Sequence, residues 1–291
     1  MNHSTVNFTT PEASTIYYFG LMDGQGMCVL SLSLLFGLPT HSYVIWLIIT
    51  GTGNGVASEF FNLNLSVCEI GSSISAMFGI LSLLFSNFTI LTHFLQGLGV
   101  TGRPLFQCLI CVERYLAVVH PVTFLKYKPL RYRVICSTAV WIITLGSCLF
   151  YMCFLVSFNI KAYTWFFSLQ FLLFLCIQMF CLVAVLRALK QSGPGERGRE
   201  RKEENHIKKR AFYLILITTM NMIILYVPFI VTGFFVIVTH QNFLDFWFPG
   251  CLCYVLAGFV QPVLYLQRAG KLFCFCLSLK HDIVGSFCNL H

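Results

Sequence analysis

Residues 88–121 read FTILTHFLQGLGVTGRPLFQCLICVERYLAVVHP. Up to Glu113-Arg114, the only charged side chain in this run is Arg103. The apolar part, 88–119, exceeds the roughly 20 residues a helix needs to cross a bilayer. A helix of that length must tilt or continue past the hydrocarbon. Six further apolar runs lie at 27–50, 58–85, 132–157, 164–190, 207–238 and 246–267. The chain is 57% hydrophobic and only 10% charged, too little charge to clothe a soluble domain of this size. The expected fold is an all-α membrane protein, a seven-transmembrane helix bundle with a short amphipathic C-terminal helix.

Three regions follow: a tail at 1–26, the seven-transmembrane domain at 27–267, and a terminal helix and tail at 268–291. The first region has neither Lys nor Arg and carries glycosylation sequons at Asn2 and Asn7. No basic segment leads into an apolar stretch with a cleavage site, so the first run is expected to serve as its own signal-anchor. Basic residues set the orientation. With the N-terminus outside, Lys126, Lys128, Arg131 and Arg133 lie inside, as do the many Lys and Arg of the connector after the fifth run. Arg268, Lys271 and Lys280 join them, and only Lys161 is left outside. The net charge of +8 therefore records topology and contact with the inner leaflet, not nucleic-acid binding. Along 268–280, a helix lying on the inner leaflet carries Cys274 and Cys276, as palmitoylation sites or as bare thiols at the lipid boundary. Most other cysteines stand inside apolar runs and read as small buried hydrophobes. No metal site or cofactor is expected.

Four patterns resemble one family. The third run ends Glu113-Arg114-Tyr115, with Pro121 and Val122 downstream; Trp141 stands in the fourth run; the sixth holds Tyr226-Val227-Pro228; the seventh ends Gln261-Pro262-Val263-Leu264-Tyr265. In order and spacing these are similar to the signatures of rhodopsin-like (class A) G-protein-coupled receptors, of which this chain looks like a divergent member. The resemblance implies a plasma-membrane receptor that passes an extracellular signal to a heterotrimeric G protein. It also implies that Glu113 partners Arg114 at rest, that Arg114 is freed on activation, and that Val122 offers an apolar knob to the partner. Pro228 and Pro262 each remove a helix hydrogen bond and kink their helices. Departures are equally specific. Thr89 stands where the family keeps the cysteine of its outer disulfide. Leu182 replaces a fifth-helix Tyr that acts with the seventh-helix Tyr, here Tyr265.

In many family members a second-helix Asp and a third-helix Ser hold sodium. The matching residues here are Glu69 and Arg103. A count of depth reaches the same pair independently. Arg103 precedes Arg114 by as many residues as Glu69 follows Ser58, which puts both about 16 Å above the inner boundary. An ion pair between them is expected, with His41 and Gln261 completing a polar cluster. The candidate ligand pocket comprises His93, Gln96, Gly97, Val100, Phe166, Gln170, Tyr226, Phe229 and Cys251, each a ligand contact or a packing residue. Its mostly apolar lining suits a small, lipid-like or weakly charged ligand. Gln96, where amine receptors keep an Asp, disfavours amines, and the absence of Lys from the seventh run disfavours retinal. With no HExxH, GxSxG or paired intramembrane acids, the chain is not expected to be an enzyme. The competing reading is a receptor-like membrane protein that no longer signals and serves as a binding or scaffold partner.

Overall fold

The structure is a computed structural model that describes residues 26–51, 59–127, 130–156, 160–191, 199–239 and 247–268, and among these there is no strand. Seven long helical segments carry the fold. They are α1 (Gly26–Thr50), α2 (Phe60–Leu84), α3 (residues 89–119), α4 (Leu130–Val156), α5 (Ile160–Gln191), α6 (Arg199–Thr239) and α7 (Trp247–Arg268). Asn2, Asn7, Cys274, Cys276 and the expected terminal helix lie outside the described residues. By length and apolarity, five helices qualify to cross a membrane: those over Gly26–Thr50, Phe60–Ser82, Leu130–Phe150, Thr164–Lys190 and Lys208–Thr239. A shorter apolar stretch covers Leu252–Gln267. In α3 the apolar run is divided by Arg103 and by a π-helical segment at Leu98–Gly102.

Helix ends depart from the ends of the apolar runs. α6 begins at Arg199, well before the apolar run at 207, because Arg, Lys and Glu are strong helix formers that need no burial to stay helical. Between α3 and α4, where a connector was expected, Pro121–Tyr127 forms a short helix. Pro121 opens it, a position where a missing N–H is no loss.

The bundle is inside-out relative to a water-soluble protein. Leu35, Ile142, Leu169, Phe180 and Val231 are exposed, while Asn62, Ser66, Glu69, Ser72, Ser73, Thr101, Arg103, Gln107 and Gln261 are buried. An apolar exterior on this scale has no place in water and suits lipid. α3 runs through the middle, packing on α2, α4, α5 and α6, while α1 meets α2 and α7, and α6 meets α5 and α7. This central position makes α3 the helix whose polar side chains can reach the others.

Close approach to α3 depends on glycine. A β-carbon on Gly102 would stand 2.6 Å from the Cys68 sulfur and 3.0 Å from Thr144, and one on Gly97 would stand 2.8 Å from the Cys148 Cα. Neither leaves room for a side chain. Tyr226, fully buried, closes the opposite flank and is ringed by Phe167, Phe171 and Phe174. Its hydroxyl donates to the carbonyl of Val100 at 2.9 Å. Val100 lies in the π-helical segment just before Pro104, so this bond ties α6 to α3 where the regular helical ladder of α3 is interrupted.

Candidate functional site

The centre of the bundle is built on Arg103. It follows the π-helical segment directly and is 2% exposed. Its guanidinium engages both oxygens of Glu69 on α2, with Nε donating to Oε1 and Nη2 donating to Oε2 at 2.8 Å. The remaining arm, Nη1, donates to the carbonyl of Tyr254 on α7 at 2.8 Å. The guanidinium carbon also lies 4.5 Å from the centre of the Tyr254 ring, a cation–π contact. A bidentate Arg–carboxylate pair is the geometry in which burial of two opposite charges is tolerable.

The surroundings are shaped to this pair. The Tyr254 hydroxyl shares a hydrogen bond with Ser72 Oγ at 2.5 Å. Any β-carbon on Gly99 would collide with that hydroxyl. On α7, a β-carbon on Gly258 would come within 3.1 Å of Arg103 Nη2 and 3.5 Å of Glu69 Oε2, so glycine lets the backbone lie against the ions. His41, from α1, is buried close to both charges and to the backbone of Gly258, and its Nδ1 meets no protein partner. Gly258 is four residues before Pro262, so its carbonyl is the one deprived of a helical donor. The cluster therefore ties α1, α2, α3 and α7 together. Tyr254 and Ser72, central to it, escaped the sequence reading, because an aromatic and a serine on apolar helices carry no signal of their own.

Gln261 stands apart from the ion pair. Its Nε2 donates to Thr218 Oγ1 on α6 at 3.0 Å, one turn further toward the Arg114 end of the bundle. Beside it, Asn221 Nδ2 donates to the Ala257 carbonyl at 3.1 Å.

At the Arg114 end, the structure redistributes the expected pairing. Glu113 Oε1 accepts from Arg133 on α4, and both side chains are buried. Arg114 reaches instead toward Glu59, 3.9 Å away, with its own side chain 26% exposed. Adjacent residues on a helix do not share a face, so Glu113 addresses α4 while Arg114 turns toward the start of α2. Arg133 looked like one more basic residue of a connector, and nothing in its sequence context marked it as a buried partner. Tyr115 Oη meets His120 Nε2 at 3.0 Å. Pro121 starts the short helix on which Val122 is 80% exposed. Trp141 donates to Asn64 Oδ1 at 2.9 Å and stands edge-on to Phe106. Leu182 belongs to the apolar cluster of Cys111, Cys181, Val185 and Ile215, whereas Tyr265 packs with Val44, Ile48 and Leu266.

The expected pocket residues divide. Val100, Tyr226 and Phe229 share one apolar cluster with Phe167 and Phe174. Gln170 donates to Thr101 Oγ1 at 3.2 Å, and Phe166 lies against Phe150 on α4. Gly97 faces Cys148 of α4, so it serves helix packing and lines no pocket. Gln96 is half-buried, and the Cys251 side chain lies outside the described residues. The buried His93 Nδ1 meets no protein partner, which marks it as an unspent hydrogen-bonding group of this half. Among the described residues no group of His, Cys, Asp and Glu is placed to hold a metal ion.

Comparison with known proteins gives a consistent picture. The family model described as "7 transmembrane receptor (rhodopsin family)" matches residues 41–265. The human C-C chemokine receptor type 8 is 26% identical over 280 residues, covering 88% of this chain and 73% of that protein. The rat hydroxycarboxylic acid receptor 2 is 25% identical, covering 72% of this chain and 66% of the relative. The rat somatostatin receptor type 1 is 28% identical over 142 residues, or 43% of this chain and 35% of the relative.

Proposed function

The chain belongs to the rhodopsin family of seven-transmembrane receptors, and from that premise we propose how this G-protein-coupled receptor is oriented, held at rest and engaged by its partners. All seven helical segments span the membrane, including α3 and α7, with the N-terminus outside and the Arg114 end in the cytosol. The basic residues that follow α3 and precede α6 support that orientation. The heterotrimeric G protein meets the Arg114 end, where Val122 offers the apolar contact.

The observation that carries this reading is the unequal treatment of two neighbours. Glu113 is buried and bonded to Arg133, but Arg114 is only loosely held, 3.9 Å from Glu59. An arginine so placed is free to leave for a partner at little cost, since a partly exposed pair of that length contributes at most about 1 kcal/mol. The Glu69–Arg103 pair takes the place of a bound sodium ion: the guanidinium occupies both carboxylate oxygens and brings its own positive charge. The ligand enters from the opposite end, between α3, α5 and α6. The aromatic residues around Tyr226, with His93 and the Thr101–Gln170 pair as sparse polar anchors, favour a small and weakly charged or lipid-like molecule.

The decisive experiment is G-protein activation in cells by wild type and by Arg114→Ala at matched surface expression. Activation by wild type that Arg114→Ala abolishes supports the reading. Silence of wild type across a panel of G proteins and candidate ligands favours a non-signalling binding partner. That second reading draws on Leu182, which brings no hydroxyl to the α3–α5–α6 junction while Tyr265 packs against α1.

A further inference from the structure

We propose that Asn87, on the turn between α2 and α3, carries an N-linked glycan. The proposal rests on the orientation read above, which puts this turn outside. Residues 87–89 read Asn-Phe-Thr, an acceptor sequon. The pattern alone is weak, since it also occurs at Asn64-Leu65-Ser66. The structure separates the two. Asn64 lies within α2 with both amide atoms spent: Nδ2 donates to the Phe60 carbonyl at 2.9 Å, and Oδ1 accepts from Trp141 at 2.9 Å. Ser66 beside it is buried, and a glycan on Asn64 has no room between α2 and α4. Asn87 and Thr89 are both exposed.

The grip on its neighbour turns Asn87 outward. In the short helical turn Ser86–Phe88, the Phe88 N–H donates to the Phe85 carbonyl at 3.1 Å. The Thr92 hydroxyl donates back to the Phe88 carbonyl at 3.0 Å. The Phe88 ring stacks on Phe78 and meets Phe85 edge-on. With Phe88 drawn onto the bundle, the residue before it is left on the open side. Height agrees. α2 from Glu59 and α3 from Arg114 each rise about 40 Å to this turn, at about 1.5 Å per residue. The hydrocarbon is about 30 Å thick and the headgroups add only about 5–8 Å on each side, so Asn87 stands clear of both. The donor is a polyprenyl-diphosphate-linked oligosaccharide of the secretory pathway. Asn87 Nδ2 bonds to its anomeric carbon as the bond from that carbon to the diphosphate oxygen breaks. The diphosphate leaves with the electron pair, and the amide gives up one proton. A chain of sugar hydroxyls cannot be drawn back through hydrocarbon, so the glycan also holds the α2–α3 turn on the outer side.

The test is immunoblotting of the full chain from mammalian cells, with and without peptide N-glycosidase. Asn2→Gln with Asn7→Gln removes the tail sequons, and this double variant should keep one glycosidase-sensitive step in mobility on most of its chains. Adding Asn87→Gln, or Thr89→Ala, which leaves the asparagine in place, should abolish that step. Adding Thr89→Ser, which retains the sequon, should keep it, and adding Asn64→Gln should change nothing. Transfer precedes folding, so a variant that folds poorly still reports. If glycosidase leaves the double variant unmoved, or if the step survives Asn87→Gln, the proposal is overturned. An N-terminal tag protected from protease inside microsomes then leaves the orientation reading standing; a tag open to protease sinks both.

Discussion

Removing Arg103 is the sharpest perturbation of the resting state. Arg103→Ser deletes three donated hydrogen bonds and strands Glu69, whose side chain is 6% exposed, without a counter-charge. Breaking a buried pair by removing one partner costs about 3–5 kcal/mol, most of it the penalty of the charge left behind. Glu69→Gln should cost about as much, because it strands Arg103 instead. Replacing both, as Arg103→Met with Glu69→Leu, should come within about 2 kcal/mol of wild type. The matching singles, Arg103→Met and Glu69→Leu, each strand the other charge at a similar cost, so the double-mutant cycle they close predicts a coupling energy of about 3 kcal/mol or more. At roughly 2–4 °C per kcal/mol for chains of this order of size, each single variant should lose about 10 °C of thermal midpoint. Unfolding in detergent is seldom reversible, so the scans must share one heating rate. Cations supply the second arm. In Arg103→Ser, Glu69 and the new hydroxyl recreate an oxygen-lined site, and sodium chloride should stabilise this variant relative to potassium chloride at equal ionic strength. Wild type should not distinguish the two salts. A wild type stabilised by sodium as strongly as the variant would refute the reasoning, as would single variants that each cost less than about 1 kcal/mol.

Two further outcomes follow from the same geometry. Gly99→Ala places a methyl group against the Tyr254 hydroxyl and should unfold or strongly destabilise the receptor; adding Tyr254→Phe should restore part of the thermal midpoint, and no restoration would show that the collision is not the cause. At the Arg114 end, Glu113→Gln and Arg133→Ala should raise basal G-protein activation by similar factors and should not add in combination, because they cut one buried contact. Glu59→Ala should move stability by at most about 1 kcal/mol, and an effect of Glu59→Ala as large as that of Glu113→Gln would reverse the assignment of the stronger pair.

Position along a helix axis is linear in sequence, at about 1.5 Å per residue. That arithmetic alone brings Glu69 and Arg103 to one depth, and it places Arg114 at the end of its apolar run. Facing direction is another matter. The resemblance implied that Glu113 partners Arg114, yet Glu113 lies against Arg133, because consecutive residues diverge around the axis. Gln261 shared the expected cluster by motif, but it turns to Thr218 of α6. Gly97 was expected in the pocket, but it lies against Cys148 of α4; the π segment at Leu98–Gly102 changes the rotation of everything before it relative to everything after it. Neither the apolar pattern nor any motif announced that segment.

By itself, then, the order of residues settles the apolar helices, their basic asymmetry, the shared level of Glu69 and Arg103 along their helices and the prolines inside α6 and α7, since each depends on neighbours along one chain. Only the folded bundle decides that Tyr254 lies under the Arg103 guanidinium, that Arg133 covers Glu113, that Tyr226 donates to the Val100 carbonyl, and that Gln107 is buried without a protein partner. Those relations depend on how separate helices rotate and approach each other. Glycine contacts, a π segment and the competition of side chains for a shared interior fix that rotation, and none of these is a property of one helix taken alone.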